Sequence, residues 1–598
     1  MKGKKNSGGV RWNTLGVFLS RSNWFYLVLL AFPAWNVLFY LTVIPDDGSA
    51  REVGVDPQLA LAQSSSSYSS LGMNSEGGQR YSQTWRTLDE VVREDDAKLF
   101  DTYKSFYESR SQSWRIRRYG RVCIVSSSFM GLSLSSGMGT ALTTLAESLA
   151  KNGFEVTLLY TRQGAQVDVG SIEHWQRYYN RIDVKLVPLP ATVNYDVDKD
   201  VEVAHRVFMW LRDQPKFDVV HFADNKGAAY FACSAKKQGL DFLQTMLVIH
   251  LHCPHMWYKI NSLKLLDQVN DLVSDHLERE SAMGADYIVS PSHYMINWLQ
   301  EHDSWSVDSN KVVVQQHIAP KWLKKHNLDY GEMMNEDVSK EPLKITELVY
   351  FGRAELKKGI VLFCDALDKL SKKNLPKFSV TFLGQFPDER HQDEFLTLPG
   401  NINARIEDYV KHRSVKWTFK WRILQDQRGP QLRIEYMKKP ANASMASSSS
   451  SRESRSTGAG VGFETGRRLA VMPSIMENSP YSVLECLIAG VPFVATRVGG
   501  VEELIPADLH DAVLVDPAAK SVAKRLEAIL LGGVIPGNVD YNTYAGQSAS
   551  TWAIWHHMLK HEAAAFDLST MHYGTPLVSV CVVTYNNPHL LKQTLQVS

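Results

Sequence analysis

Short apolar runs alternate with amphipathic stretches along most of the chain. RVCIVSSSF, starting at Arg121, is an apolar run of strand length. After it, GLSLSSGMGTALTTLAESLAKNGFEVTLLY gives a glycine-bearing loop, helical spacing from Thr140 to Lys151, Gly153 as a stop, and a second strand, Glu155–Tyr160. That sequence predicts a βαβ unit. Further strands are expected at Val184–Val187, Phe217–Phe222, Thr245–His252, Tyr287–Ser290 and Lys311–Gln315, with helices between them such as Gly227–Gln238. A second series begins at Glu347. LVYFGR, FSVTFLG (378–384), LAVMPS (469–474) and PFVATRV (492–498) read as strands, and Ile360–Leu370 and Pro480–Ala489 as helices. The alternation predicts two α/β halves, each a doubly wound parallel sheet.

The pattern sets the domain plan. The half at 120–318 is joined through 319–346 to the half at 347–535, and 536–572 reads as a helical segment. The low-complexity stretch 441–460 is expected to be a disordered insertion and holds the sequon Asn442-Ala-Ser444. Near the start, Trp24–Ile44 is an uncharged apolar run of 21 residues behind a basic tail (1–23). As a helix it would be about 31 Å long, enough to span a bilayer. The basic flank predicts a single-pass type II anchor with the rest of the chain on the far side. A cleaved signal peptide is the rival reading, but its apolar region would be too long. Residues 45–119 read as a stem, polar at first and then, over 84–118, suited to a charged helix.

Composition narrows the function. Length, 598 residues, calls for two or three domains. A net charge of +1 gives no electrostatic case for nucleic acid. The six cysteines are scattered, without zinc-type spacing, and suggest neither a structural metal nor a disulfide framework.

Candidate chemistry gathers where ligands bind in such sheets, beyond the carboxyl ends of the strands. His252 ends one strand, Arg353 follows LVYFG with Lys358 close behind, Glu477 follows LAVMPSIM, and Gly499-Gly500 follow FVATRV. Ser479 can cap the next helix, Pro480 suits its first position and Gly490 its stop. Arg353, Lys358 and the N–H groups of that helix suit a diphosphate. The carboxylates Glu477 and Glu485 then remain for sugar hydroxyls.

ENSPYSVLE (477–485) resembles the E-x7-E motif of the retaining glycosyltransferases of family 4, which have the GT-B fold of two facing Rossmann-like domains. FGRAELKKG, HLHCPHMW (250–257), VMPS, RVGGVEEL and the loop SSGMGTALTTLAESLA support the likeness over about 120–535. It implies that Glu477 contacts the donor sugar, Glu485 the nucleotide ribose, and Arg353 with Lys358 the diphosphate. Asn478, Ser479, Pro480 and Tyr481 would line sugar and phosphate, and His252 would approach the sugar from the N-terminal half. Gly137 and Gly139 would let the first loop come close to phosphate or acceptor, and Gly499 and Gly500 would border the donor. The implied donor is a nucleoside-diphosphate sugar. No cofactor or metal is expected, and the acceptor would be a glycan, protein-linked or lipid-linked. With the anchor, this would be a luminal Golgi or ER enzyme in a eukaryote. The alternative is a membrane-tethered carbohydrate- or nucleotide-binding scaffold whose catalysis has lapsed. Departures are Cys253 in place of the usual glycine, QQHIAP (315–320) before the linker, and the serine-rich insertion. Residues 576–598, with PLVSVCVVTYNNP, resemble the opening strand of a family 2 glycosyltransferase, cut short.

Overall fold

The computed structural model describes residues 85–95, 119–326, 342–438 and 467–565, short stretches inside these ranges excepted. The expected anchor, the sequon, the insertion and the family 2-like strand lie outside the described residues. Among the described residues, no helix is long and apolar enough to cross a membrane.

The first sheet has seven parallel strands, β1 (Arg121–Ser126), β2 (Glu155–Tyr160), β3 (Val184–Pro188), β4 (Val219–Ala223), β5 (Met246–His250), β6 (Tyr287–Ser290) and β7 (Val312–Val314), in the order 3-2-1-4-5-6-7. The second has β8 (Ile345–Phe351), β9 (Ser379–Gly384), β12 (Lys420–Gln425), β13 (Arg467–Met472), β14 (Phe493–Thr496) and β15 (Leu514–Val515), in the order 12-9-8-13-14-15. Counted within its own half, that is again 3-2-1-4-5-6. A small hairpin, β10 (Leu396–Leu398) with β11 (Ile402–Ala404), stands apart from both sheets.

Burial on both faces explains the near-continuous apolar runs. Val122 and Ile124 face one core layer and Cys123 and Val125 the other. In the second sheet Val349 and Phe351 oppose Leu348 and Tyr350 in the same way. β12 was not anticipated: it is an edge strand whose apolar run is interrupted by Arg422, which reaches inward to Glu347.

Two segments outside the expected halves pack on the first of them, and the second is helical as expected. Residues 85–95, assigned to the stem by their charge, pack on the first half. Trp85, Leu88, Val91 and Val92 are buried, the Trp85 indole donates to Asn297 (2.8 Å), and Thr87 bridges to Val314. At the other end, the long helix Tyr541–Ala565 returns to the N-terminal half, where Trp552, Ile554, Trp555 and Leu559 join the core beside β4 and β5.

Candidate functional site

In each sheet the strand order reverses between the first and fourth strand, the place where a crevice opens at the carboxyl ends. In the second half β8 and β13 flank that point. The turn after β8 carries Arg353 and Lys358, and the turn after β13 carries Glu477. Two contacts press the turns together. Gly359 has φ 71°, and a Cβ there would lie 1.7 Å from the Pro473 carbonyl, so only glycine fits. The Ile475 N–H donates to the Lys357 carbonyl (2.9 Å).

Lys358 thereby donates through Nζ to Glu477 Oε1 (2.5 Å), which also accepts from the Ser474 hydroxyl (2.7 Å). Arg353 Nη1 lies 2.7 Å from Glu355 Oε1. Burial pulls the Lys358 ammonium below its usual range, with Glu477 opposing. Burial would raise the Glu355 carboxyl, but Arg353, Lys357, Lys358 and Lys264 bring it below its ordinary value.

The motif helix spans Tyr481–Ala489 and stops at Gly490, in the left-handed region (φ 63°) as its sequence suggested. Its start differs. Pro480 occupies the cap position, no side chain caps the helix, and the Ser479 hydroxyl is buried without a partner. Serine cannot cap one residue too early, so the first N–H groups stay available to an anion. Glu485 is buried on the second turn.

The N-terminal half closes against this wall. Asp224, at the end of β4, accepts from the N–H groups of His252 (2.8 Å) and Cys253 (2.9 Å), which fixes the turn after β5. Burial pushes Asp224 up to about 7 despite these bonds. Asn478 spans the cleft: its Nδ2 donates to the His252 carbonyl (3.1 Å), and its Oδ1 accepts from Ser292 (2.6 Å). His252 stacks between His250 and His317, and His317 stacks on Tyr481 (centroids 4.9 Å apart, 5° between planes). His252 Nε2 is buried with no partner. With Ala141, Gln316 and Trp552, the three histidines line a small cavity of about 20 Å³.

The expected glycines divide by role. Gly137 opens the helix Gly137–Lys151 and faces the Tyr481 ring across the cleft; a Cβ there would be 3.9 Å from it. Gly139 lets that helix pack on the β1 loop, since its Cβ would lie 2.8 Å from Ser128 Oγ. Gly499 and Gly500 abut the motif backbone: their Cβ atoms would lie 1.8 Å from the Glu477 carbonyl and 2.1 Å from the Asn478 carbonyl. The pair seats the motif. Glu503 is structural as well, accepting from the His293 (2.7 Å) and Tyr294 (2.9 Å) N–H groups at a helix start in the other half.

Behind His252 runs a histidine chain. His556 Nδ1 contacts the Trp552 carbonyl (2.6 Å), His221 Nε2 contacts His556 Nε2 (2.7 Å), and His221 Nδ1 contacts His250 Nε2 (2.8 Å). A carbonyl only accepts, so His556 donates to it. The remaining tautomers follow in order, with His221 donating to His556 and His250 to His221, all three neutral. Burial agrees: it lowers His250 to about 3 and His556 to about 4. Among the described residues, no group of three or more His, Cys, Asp or Glu side chains could hold a metal ion.

Sequence reasoning missed Ser474, Glu355, Lys357 and Asp224. Asp224 had the same signal as His252, a polar residue at a strand end. His317 sat within QQHIAP, where it stood out only as a departure.

Comparison with known proteins agrees with the two-half architecture. Residues 136–315 match the model of the glycosyl transferase 4-like domain and residues 466–531 that of glycosyl transferases group 1. No curated protein sequence matches the chain. Among solved structures, the chain is similar to a sucrose-phosphate synthase from Thermosynechococcus elongatus (14% identity, 81% of this chain and 100% of that one, TM-score 0.46). It is also similar to Alr3699/HepE from Anabaena, solved with UDP-glucose (14% identity, 75% and 96%, TM-score 0.42), and to the N-terminal domain of a Candida albicans trehalose-6-phosphate phosphatase (11% identity, 77% and 99%, TM-score 0.46). Likenesses this distant say nothing about substrate. The two matches fall one in each half: a glycosyl transferase 4-like domain lies on the first parallel sheet, and a stretch similar to glycosyl transferases group 1 lies on the second.

Proposed function

We propose that the protein transfers a sugar from a nucleoside-diphosphate sugar to an acceptor hydroxyl with retention at the anomeric carbon. The observation that carries this reading is the convergence of Arg353, Lys358 and an uncapped helix start at the switch point of the second sheet, with Glu477 hydrogen-bonded to Lys358. Arg353, Lys358 and the helix N–H groups would stabilise the departing diphosphate without needing a metal ion. Glu477 and Glu485 would hold sugar and ribose hydroxyls, and Asn478–Tyr481 would line the donor. His252 would offer its unpartnered nitrogen to the sugar from the opposite half.

In this reading the C1–phosphate bond breaks as the acceptor oxygen bonds to the same face of C1, and the hydroxyl proton passes to the leaving phosphate. No side-chain nucleophile or general base is assigned. Closure across Asn478 would keep water from the donor. The run 24–44 would anchor the enzyme, with the catalytic halves luminal and the acceptor a glycan or glycoconjugate. Incubating the protein with a panel of nucleotide sugars and acceptors tests this. The anomeric configuration of the product should match the donor, and Glu477→Ala should abolish turnover. An inverted product would refute retention, and no turnover from a folded protein would favour the scaffold reading.

A further inference from the structure

The cation cluster around Arg353 contains more charge than it uses. Arg353 is neutralised by Glu355 and Lys358 by Glu477, so both proposed diphosphate-holding groups are occupied by carboxylates. Beside them Lys357 is 7% exposed, and among the described residues no hydrogen bond or ion pair reaches its ammonium. Its one partner is the ring of Tyr258 in the other half, 4.4 Å from Nζ to centroid. Lys264 lies over the same ring, 5.2 Å away. Glu355 also has something unused: its Oε2 is buried without a partner. A buried carboxylate oxygen left unsatisfied beside a lysine is costly unless another state of the site uses it.

The charge count indicates which state. Arg353, Lys357, Lys358 and Lys264 face Glu355 and Glu477, an excess of positive charge that the dianionic diphosphate of a nucleotide sugar would balance. Asp224 and Glu278 stand behind Cys253 but are bound to backbone N–H groups. When the diphosphate takes Arg353, Glu355 must leave that guanidinium. Resting on the donor site proposed above, we infer that Lys357 is a positioning residue for the donor: it receives the Glu355 carboxylate displaced from Arg353 by the diphosphate. Lys357 does not touch the phosphates. It acts through Glu355, and in the donor-free protein Glu355 holds the place of the diphosphate.

A double-mutant cycle separates this role from direct phosphate contact. Binding of UDP, GDP and ADP would be measured by calorimetry on the full chain and on Glu355→Gln, Lys357→Met, Lys357→Arg and the Glu355→Gln/Lys357→Met double variant. The best-bound nucleotide should bind about tenfold tighter to Glu355→Gln and about tenfold weaker to Lys357→Met. Lys357→Arg should restore affinity. The decisive result is the double variant, in which the Lys357→Met loss should vanish because no carboxylate is left to relocate. If the loss persists without Glu355, Lys357 contacts the phosphate directly and the inference fails. If Lys357→Met binds like the parent while its melting temperature is unchanged, the inference also fails. If the parent binds none of the three nucleotides, the donor-site reading itself falls and takes the inference with it.

Discussion

Replacing Glu477 by glutamine should weaken the fold and sensitise it to ligand at the same time. Glutamine keeps a carbonyl oxygen for the Ser474 hydroxyl but removes the charge that Lys358 approaches at 2.5 Å. Lys358 is then left among Arg353 and Lys357 with no counter-charge in contact. Breaking one side of a buried ion pair costs about 3–5 kcal/mol. The Lys358 side chain keeps 19% of its surface exposed, so the lower end, about 3 kcal/mol, applies. That is a large share of the stability of an ordinary domain. A nucleoside diphosphate without its sugar would replace the missing charge. In the parent protein the same anion must first displace Glu477. The variant should therefore regain about 1–2 kcal/mol more than the parent at equal ligand concentration. Urea unfolding with and without the diphosphate measures both quantities. A loss below about 1 kcal/mol together with equal ligand stabilisation would refute the argument, because Glu477 would then be an ordinary helix-end charge.

Three further outcomes follow from the same contacts. Asn478→Ala removes the side chain that joins the two halves, so kcat/KM should fall about a hundredfold with little change in melting temperature, as steady-state kinetics would show. Gly500→Ala places a Cβ 2.1 Å from the Asn478 carbonyl and should cost about 1–3 kcal/mol in denaturant titration, with activity falling further than the unfolded fraction explains. The neutral histidines make stability depend on pH. Burial holds His250 at about 3 and both His317 and His556 at about 4, below the unfolded value near 6.5. Their contribution is whole above that value and is lost as pH falls toward 4. Each adds a slope of about 1.4 kcal/mol per pH unit, so His556→Gln should flatten the acid limb by about that amount.

The fold was legible where burial is symmetrical. Strands covered on both faces must be apolar throughout, so β1, β8 and β13 stood out as runs. Edge strand β12 did not, because Arg422 interrupts it to meet Glu347. The place of Glu477 in the turn after β13 was legible because a strand end, a turn and a helix start fix it. Ser479 misled because cap preference is local, whereas the bend at Pro480 decides which residue caps. Residues 85–95 misled because Asp89, Glu90, Arg93, Glu94 and Asp95 mask an apolar face of Leu88, Val91 and Val92. The partners of Asp224 and Glu503 are distant in sequence or in the other half, and no local pattern contains them.

The central claim is that Arg353, Lys358, Glu477 and Glu485 form a nucleotide-sugar site. The most direct measurement is a thermal shift of the purified protein against a panel of nucleoside-diphosphate sugars, repeated with Arg353→Ala and Glu485→Ala. The account predicts that one donor raises the melting temperature of the parent and that both variants, folded on their own, lose the shift. A folded parent that responds to no donor, or variants that respond as the parent does, would contradict it.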